Sequence, residues 1–140
     1  MQELIRVAVD AMGGDNAPAE IVKGAVEALK ASTDLKVILV GQEEAVQQEL
    51  SKYQYDDSRM EVVNATEIIE MAEPPVQAIR SKKDSSIVVA MKLVKNGEAD
   101  AFVGAGSTGA VLVGGQLIVG RLKGVERPPL APLLPTEKGA

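Results

Sequence analysis

The residues best suited to chemistry lie in Ala101-Phe102-Val103-Gly104-Ala105-Gly106-Ser107-Thr108-Gly109-Ala110, an apolar run that passes through a glycine-rich turn. Gly104, Gly106 and Gly109 leave backbone N–H groups open to a ligand, and a helix opening there adds a partial positive charge at its first turn. That is the chemistry of a phosphate cradle. Ser107 and Thr108 bring hydroxyls to the same place. Either they hydrogen-bond a phosphate or a developing oxyanion, or one of them only caps the helix it opens.

The same spacing fits G-x-G-x-x-G, the dinucleotide fingerprint, which also needs an acidic residue at a strand end about 20 positions on. That region reads Val125-Glu126-Arg127-Pro128-Pro129-Leu130, and paired prolines do not sit in a central strand. A nucleotide-binding oxidoreductase is one rival reading, and a non-catalytic fragment that dimerises through its glycine helix is the other. No Gly-Lys-Ser/Thr follows, so the turn is not a Walker A loop. The 20 residues from Ala101 to Gly120 carry no charge, a length that spans a bilayer, but six are glycine and Ser107, Thr108 and Gln116 interrupt them. A buried strand, turn and helix fits that composition better.

A second glycine-rich turn follows the first apolar run. Ile5 to Val9 ends at Asp10 and continues through Ala11-Met12-Gly13-Gly14-Asp15-Asn16-Ala17-Pro18, with Pro18 suited to the first helical position. Gly13, Gly14 and Asp15 join the candidate phosphate-binding residues. A carboxylate beside a phosphate dianion repels it. Asp10 is therefore read as orienting a loop donor and Asn16 as reaching the substrate, with a purely structural turn as the alternative.

These turns need a frame, and the chain alternates strand with helix. Ile21, Val22, Ala25, Val26 and Leu29 form one apolar helical stripe, with Glu20, Lys23, Glu27 and Lys30 outside. Leu35 to Val40 reads as a strand closed by Gly41. A helix over about 42–53 offers only Val46, Leu50 and Tyr53 and is expected to be peripheral. Met60 to Val63 is a third strand, followed by a helical turn over 67–71 that stops at Pro74-Pro75. A short helix over 75–83 precedes one capped by Asp84 or Ser85, which carries Ile87, Val88, Met91 and Val94 and ends at Asn96-Gly97. Ala101 to Val103 is the fourth strand. The alternation predicts a parallel, wound α/β sheet.

Composition closes several chemistries. The 140 residues contain neither Cys nor His, which excludes a thiol nucleophile, a disulfide framework, a His-based triad and the common zinc sites. A 46% hydrophobic content with 2% aromatics requires an aliphatic core. A net charge of −5 supplies no basic field for nucleic acid. The start, Met1 to Arg6, runs into a strand without a signal-peptide core, and the expected location is the cytoplasm. Gly114, Gly115 and Gly120 weaken a helix, so another element, the sheet or a second subunit, is expected to cross them closely.

Four separated motifs together resemble the bacterial phosphate acyltransferases of phospholipid synthesis: Val7 to Pro18, Arg80 to Ser86, Gly104 to Ala110, and Val119 to Gly124 with the proline-rich Arg127 to Thr136. The resemblance implies a three-layer α/β/α fold of the isocitrate/isopropylmalate dehydrogenase and phosphotransacetylase kind. It also implies a homodimer that moves a fatty acyl group from acyl carrier protein to inorganic phosphate. The acyl phosphate then serves a downstream membrane acyltransferase, with peripheral association at the inner face of the membrane. Family members are longer, so residues 1–140 are expected to be the N-terminal part of one acyltransferase domain whose C-terminal remainder is absent, as the abrupt ending after four prolines also suggests. No cofactor and no metal site are expected.

That chemistry suits the composition, because phosphate is already an anion and needs positioning and charge compensation more than a histidine base. Arg80 and Lys82, with Arg121 and Lys123, would dock an acidic carrier protein. Lys83 would reach phosphate if its loop folds inward. The alternative for these charges is a solvated face.

Overall fold

The computed structural model describes residues 3–139. Its centre is β2 (Leu35–Gly41), whose residues alternate between two buried faces: Val37 and Leu39 enter one core, Ile38 and Val40 the other. Such a run, apolar on both sides, belongs in a parallel sheet covered by helices on each face. β1 (Ile5–Asp10), β3 (Met60–Asn64) and β4 (Ala101–Val103) complete a four-stranded, all-parallel sheet in the order β3-β2-β1-β4.

On one face, α1 (Ala19–Ala31) buries Val22, Ala25, Val26 and Leu29, and α2 (Glu43–Leu50) buries Val46 and Leu50. On the other lie α3 (Pro75–Ser81), α4 (Ser86–Lys95) and α5 (Thr108–Gly114), which continues as a π turn over Gly115–Val119. The result is the expected three-layer α/β/α arrangement. Because β2 and β3 extend to one side of β1 while β4 returns to the other, the chain reverses its winding between β1 and β4. Parallel sheets open a crevice beyond the carboxyl ends of the strands at such a switch point.

β4 is short, and a clamp fixes its register. The Arg6 side chain donates to both carboxylate oxygens of Asp100, at 3.2 and 2.9 Å; the Arg6 N–H donates to Asp100 Oδ2 at 2.8 Å; and the Asp100 N–H returns a bond to the Arg6 carbonyl at 2.7 Å. Val9 is thereby set opposite Val103, so the loops after β1 and β4 leave the sheet side by side.

Three local expectations change. Pro18 is the residue before α1 rather than its first. α2 is integral to the core, because Val46 and Leu50 are almost wholly inaccessible. Residues 67–71 are not helical: Glu67 pairs with Ser85, the Ser86 N–H donates to the Glu67 carbonyl at 3.2 Å, and the Thr66 hydroxyl donates to Asp84 at 2.6 Å. Extended pairing with the leader of α4 outweighs a single helical turn, whose nucleation returns few bonds.

The clustered helix glycines also divide. A side chain on Gly114 would meet Met91 Sδ at 2.5 Å, so α4 does cross it closely, whereas nothing lies within 4 Å of one on Gly115. Gly114→Val is accordingly expected to destabilise the fold by about 1–3 kcal/mol through overpacking. Gly115→Ala, in helical backbone with open space, is expected to stabilise it by up to about 1 kcal/mol. Urea unfolding of both variants checks the pair; equal effects of one sign would contradict the assignment.

Candidate anion-binding site in the crevice between β1 and β4

The two glycine turns meet. A side chain on Gly13 would lie 2.9 Å from the Gly106 nitrogen and 3.0 Å from its Cα, and one on Gly106 would lie 3.1 Å from the Gly13 Cα. Neither position has room for a Cβ without moving the opposite backbone. Gly14, with φ of +109°, turns the chain in a region that favours glycine and brings it beside the Ala105 carbonyl. The loops therefore form one backbone-lined surface across the crevice.

Asp10 supports that surface from beneath. It ends β1 and is 1% exposed. Its Oδ1 accepts from the Met12 N–H at 3.1 Å. A Cβ at Gly13 would fall 2.4 Å from Asp10 Oδ2. Burial raises the carboxyl above its ordinary 3.8, and hydrogen bonding offsets part of that rise. Asp10 thus holds the N–H of Met12 at the start of the first glycine turn.

The hydroxyl pair separates into two roles. Ser107 is buried, and its Oγ accepts from the Ala110 N–H at 3.2 Å, capping α5. Thr108 is exposed at the first position of α5. Gly109 is a packing glycine, since a Cβ there would meet Pro75 Cγ at 2.7 Å. A Cβ on Gly104 would meet the Phe102 ring at 2.8 Å. Asp15 and Asn16 are exposed on the rim, and the Asn16 carbonyl accepts from the Glu20 N–H at 3.1 Å. An apolar cavity of about 440 Å³ opens beside Asp10, lined among others by Val9, Ile21, Ala25, Val103 and Gly104.

The basic residues are dispersed. Lys82 turns inward, its ammonium donating to the Ile68 carbonyl at 2.6 Å and to the Glu73 carboxylate, which that contact holds below the ordinary carboxylate range. Arg80 and Lys83 are exposed at the α3–α4 corner. Lys123 is exposed beyond the π turn, and Arg121, also exposed there, donates to the Glu126 carbonyl.

The family described as "Fatty acid synthesis protein" matches residues 5–140. The chain belongs to that family. Similar members are the phosphate acyltransferase of Syntrophomonas wolfei subsp. wolfei, 53% identical over 136 residues, and that of Thermoanaerobacter pseudethanolicus, 51% identical over 136. The alignments cover 97% of this chain and 42% and 40% of those proteins. The phosphate acyltransferase of Clostridium beijerinckii is 51% identical over 135 residues, which is 96% of this chain and 40% of that protein. The chain thus spans about two fifths of the length of these family members. Both glycine turns fall within the matched residues, and among the described residues no helix is long and apolar enough to cross a membrane.

The raised Asp10 carboxyl carries a pH signature. The native state holds that proton more tightly than the unfolded chain, so the associated stability is complete below the ordinary carboxylate value and is lost as pH rises through the higher native one. Asp10→Asn mimics the protonated group. Its stability relative to the unsubstituted protein is expected to improve steadily as pH rises above 3.8. Urea unfolding from pH 4 to 8 measures this, and a pH-independent difference would contradict it.

Proposed function

We propose that this chain carries the phosphate-seating part of a phosphate acyltransferase. The reaction moves a fatty acyl group from an acyl carrier protein thioester to inorganic phosphate. The observation that carries the proposal is the backbone contact of Gly13 with Gly106 in the crevice, which brings the two glycine turns together at the carboxyl ends of β1 and β4. Turns free of side chains, at the mouths of helices, suit a small oxyanion. The names of the similar family members supply the acyl transfer.

In this reading a phosphate oxygen attacks the thioester carbonyl carbon, and a tetrahedral oxyanion forms. Collapse breaks the C–S bond, releases the thiol after protonation of the sulfur, and leaves an acyl phosphate. Phosphate needs no histidine to become a nucleophile, so a chain without His or Cys loses little. Its needs are orientation and charge compensation, which preorganised N–H groups provide. Gly13, Gly14, Gly104 and Gly106 contribute the seat, Thr108 an exposed hydroxyl donor, and Asn16 a rim contact. Asp10 orients the first loop from below, and Ser107 holds the start of α5.

The remainder of the proposal concerns the whole protein. Residues 1–140 form the N-terminal part of one domain. Arg80, Lys83 and Lys123 dock the acidic carrier, the protein works in the cytoplasm as a homodimer, and a membrane acyltransferase consumes the product.

The test joins this chain to the remaining sequence of the Syntrophomonas wolfei relative and supplies acyl carrier thioester and phosphate. Hydroxylamine-trapped acyl product above a protein-free control is expected; none from a folded chimera would overturn the reading. On the 140-residue chain, phosphate is expected to raise the midpoint of thermal unfolding and Gly106→Val to abolish that rise. Unchanged protection in Gly106→Val would remove the seat from the account.

A further inference from the structure

The two faces of β4 are covered unequally. Phe102 packs into the cores beneath α3, α4 and α5. Its neighbours Ala101 and Val103 turn to the side of α1 and are exposed, Val103 by 54%, and Ile5 of β1 is 51% exposed on that same side. Val7 and Val9, paired with Ala101 and Val103, form the floor of the apolar cavity of about 440 Å³. Its one helical wall is α1, through Ile21, Gly24 and Ala28; the rest of the lining comes from the sheet and the turn after β4. All-parallel sheets are buried on both faces, so this face of β4 lacks its cover.

The outer edge of β4 is open as well, because the strand pairs with β1 alone. The Asp100 N–H donates to the Arg6 carbonyl, and by the alternation of a parallel ladder the N–H and C=O groups of Ala101 and Val103 point away from β1. Nothing blunts that edge: from Ala101 to Ala110 there is neither charge nor proline. The edge strand on the far side of the sheet differs, since β3 carries Glu61 in an ion pair with Lys36 at 2.8 Å. Gly24 adds an independent sign. Glycine weakens a helix interior, yet nothing lies within 4 Å of a Cβ built at this position, so no contact within residues 3–139 requires it.

We propose that the free edge of β4 and the groove beside α1 are the docking surface for the part of the polypeptide that relatives possess beyond the aligned residues: one strand pairs along β4, and its helix lies against Ile21, Gly24 and Ala28. The lengths of the relatives supply the occupant, because alignments covering 42% and 40% of two of them leave about three fifths of each to be placed. A strand with its crossover helix fills edge and groove together. The proposal rests on the reading that residues 1–140 are part of one larger domain.

The test compares the 140-residue chain with its chimera carrying the remaining sequence of the Syntrophomonas wolfei relative. In the chimera the Ala101 and Val103 amides are expected to exchange hydrogen more slowly by about two orders of magnitude or more. Gly24→Leu is expected to raise the urea midpoint of the 140-residue chain, where the space is open, and to lower that of the chimera, where a helix fills it. Unchanged edge exchange, or Gly24→Leu acting with the same sign in both proteins, would overturn the docking surface. So would a dimer of the 140-residue chain that Val103→Lys dissolves, since the face would then belong to a second copy. Should the chimera not fold, one built from the Thermoanaerobacter pseudethanolicus relative replaces it, and edge amides already as protected as Phe102 in the 140-residue chain would overturn the proposal without either. Two independent unfolding transitions in the chimera would reject the one-domain reading and the docking surface with it, whereas a single transition with unprotected edge amides rejects the docking surface alone. Neither thioester nor phosphate enters these measurements, so they are decided separately from the acyl-transfer assay.

Discussion

The structure depends on two backbones being able to touch. Gly13 and Gly106 approach so closely that a single Cβ on either would displace the other. This contact exists only because β1 and β4 are neighbours and parallel, with their carboxyl ends level. That adjacency is in turn fixed at the opposite end of the strands by Arg6 and Asp100. Strand order, clamp and glycine contact form one chain of causes. The clamp sets the register, the register brings the loops side by side, and the absence of side chains lets them close.

The contact is bought with a buried carboxyl group. Asp10 lies under both loops, where ionisation is disfavoured by burial, and hydrogen bonding recovers part of the loss. A purely structural turn would be more stable with a neutral group there. An acid whose Oδ2 lies close to both Gly13 and Gly106 fits the proposed anion seat, where geometry is kept at some expense of stability. The rim carboxylates are exposed and play no such part.

Much of this was legible in the residues, and the rest was hidden for definite reasons. The spacing of Gly104, Gly106 and Gly109, and the passage from Asp10 through Gly13 and Gly14, each marked a strand-to-helix turn. The apolar periods of α1 and β2 marked their buried faces. What spacing could not show was that β4 returns beside β1, because strand order is set by crossovers rather than by any local pattern. Lys82 read as part of a basic run, and only the path of residues 65–73, held open by pairing with Ser85, gave it Glu73 and Ile68 as partners. That path was itself misread as helix, since five residues with a helical apolar pattern do not reveal an available extended partner.

The most direct measurement is a crystal structure of the 140-residue chain with inorganic phosphate bound. The account predicts one phosphate in the crevice between β1 and β4, within hydrogen-bonding distance of N–H groups from both the Gly13-Gly14 turn and the Gly104–Gly106 turn. Phosphate held by one loop alone, bound elsewhere, or absent at saturating concentration would contradict it.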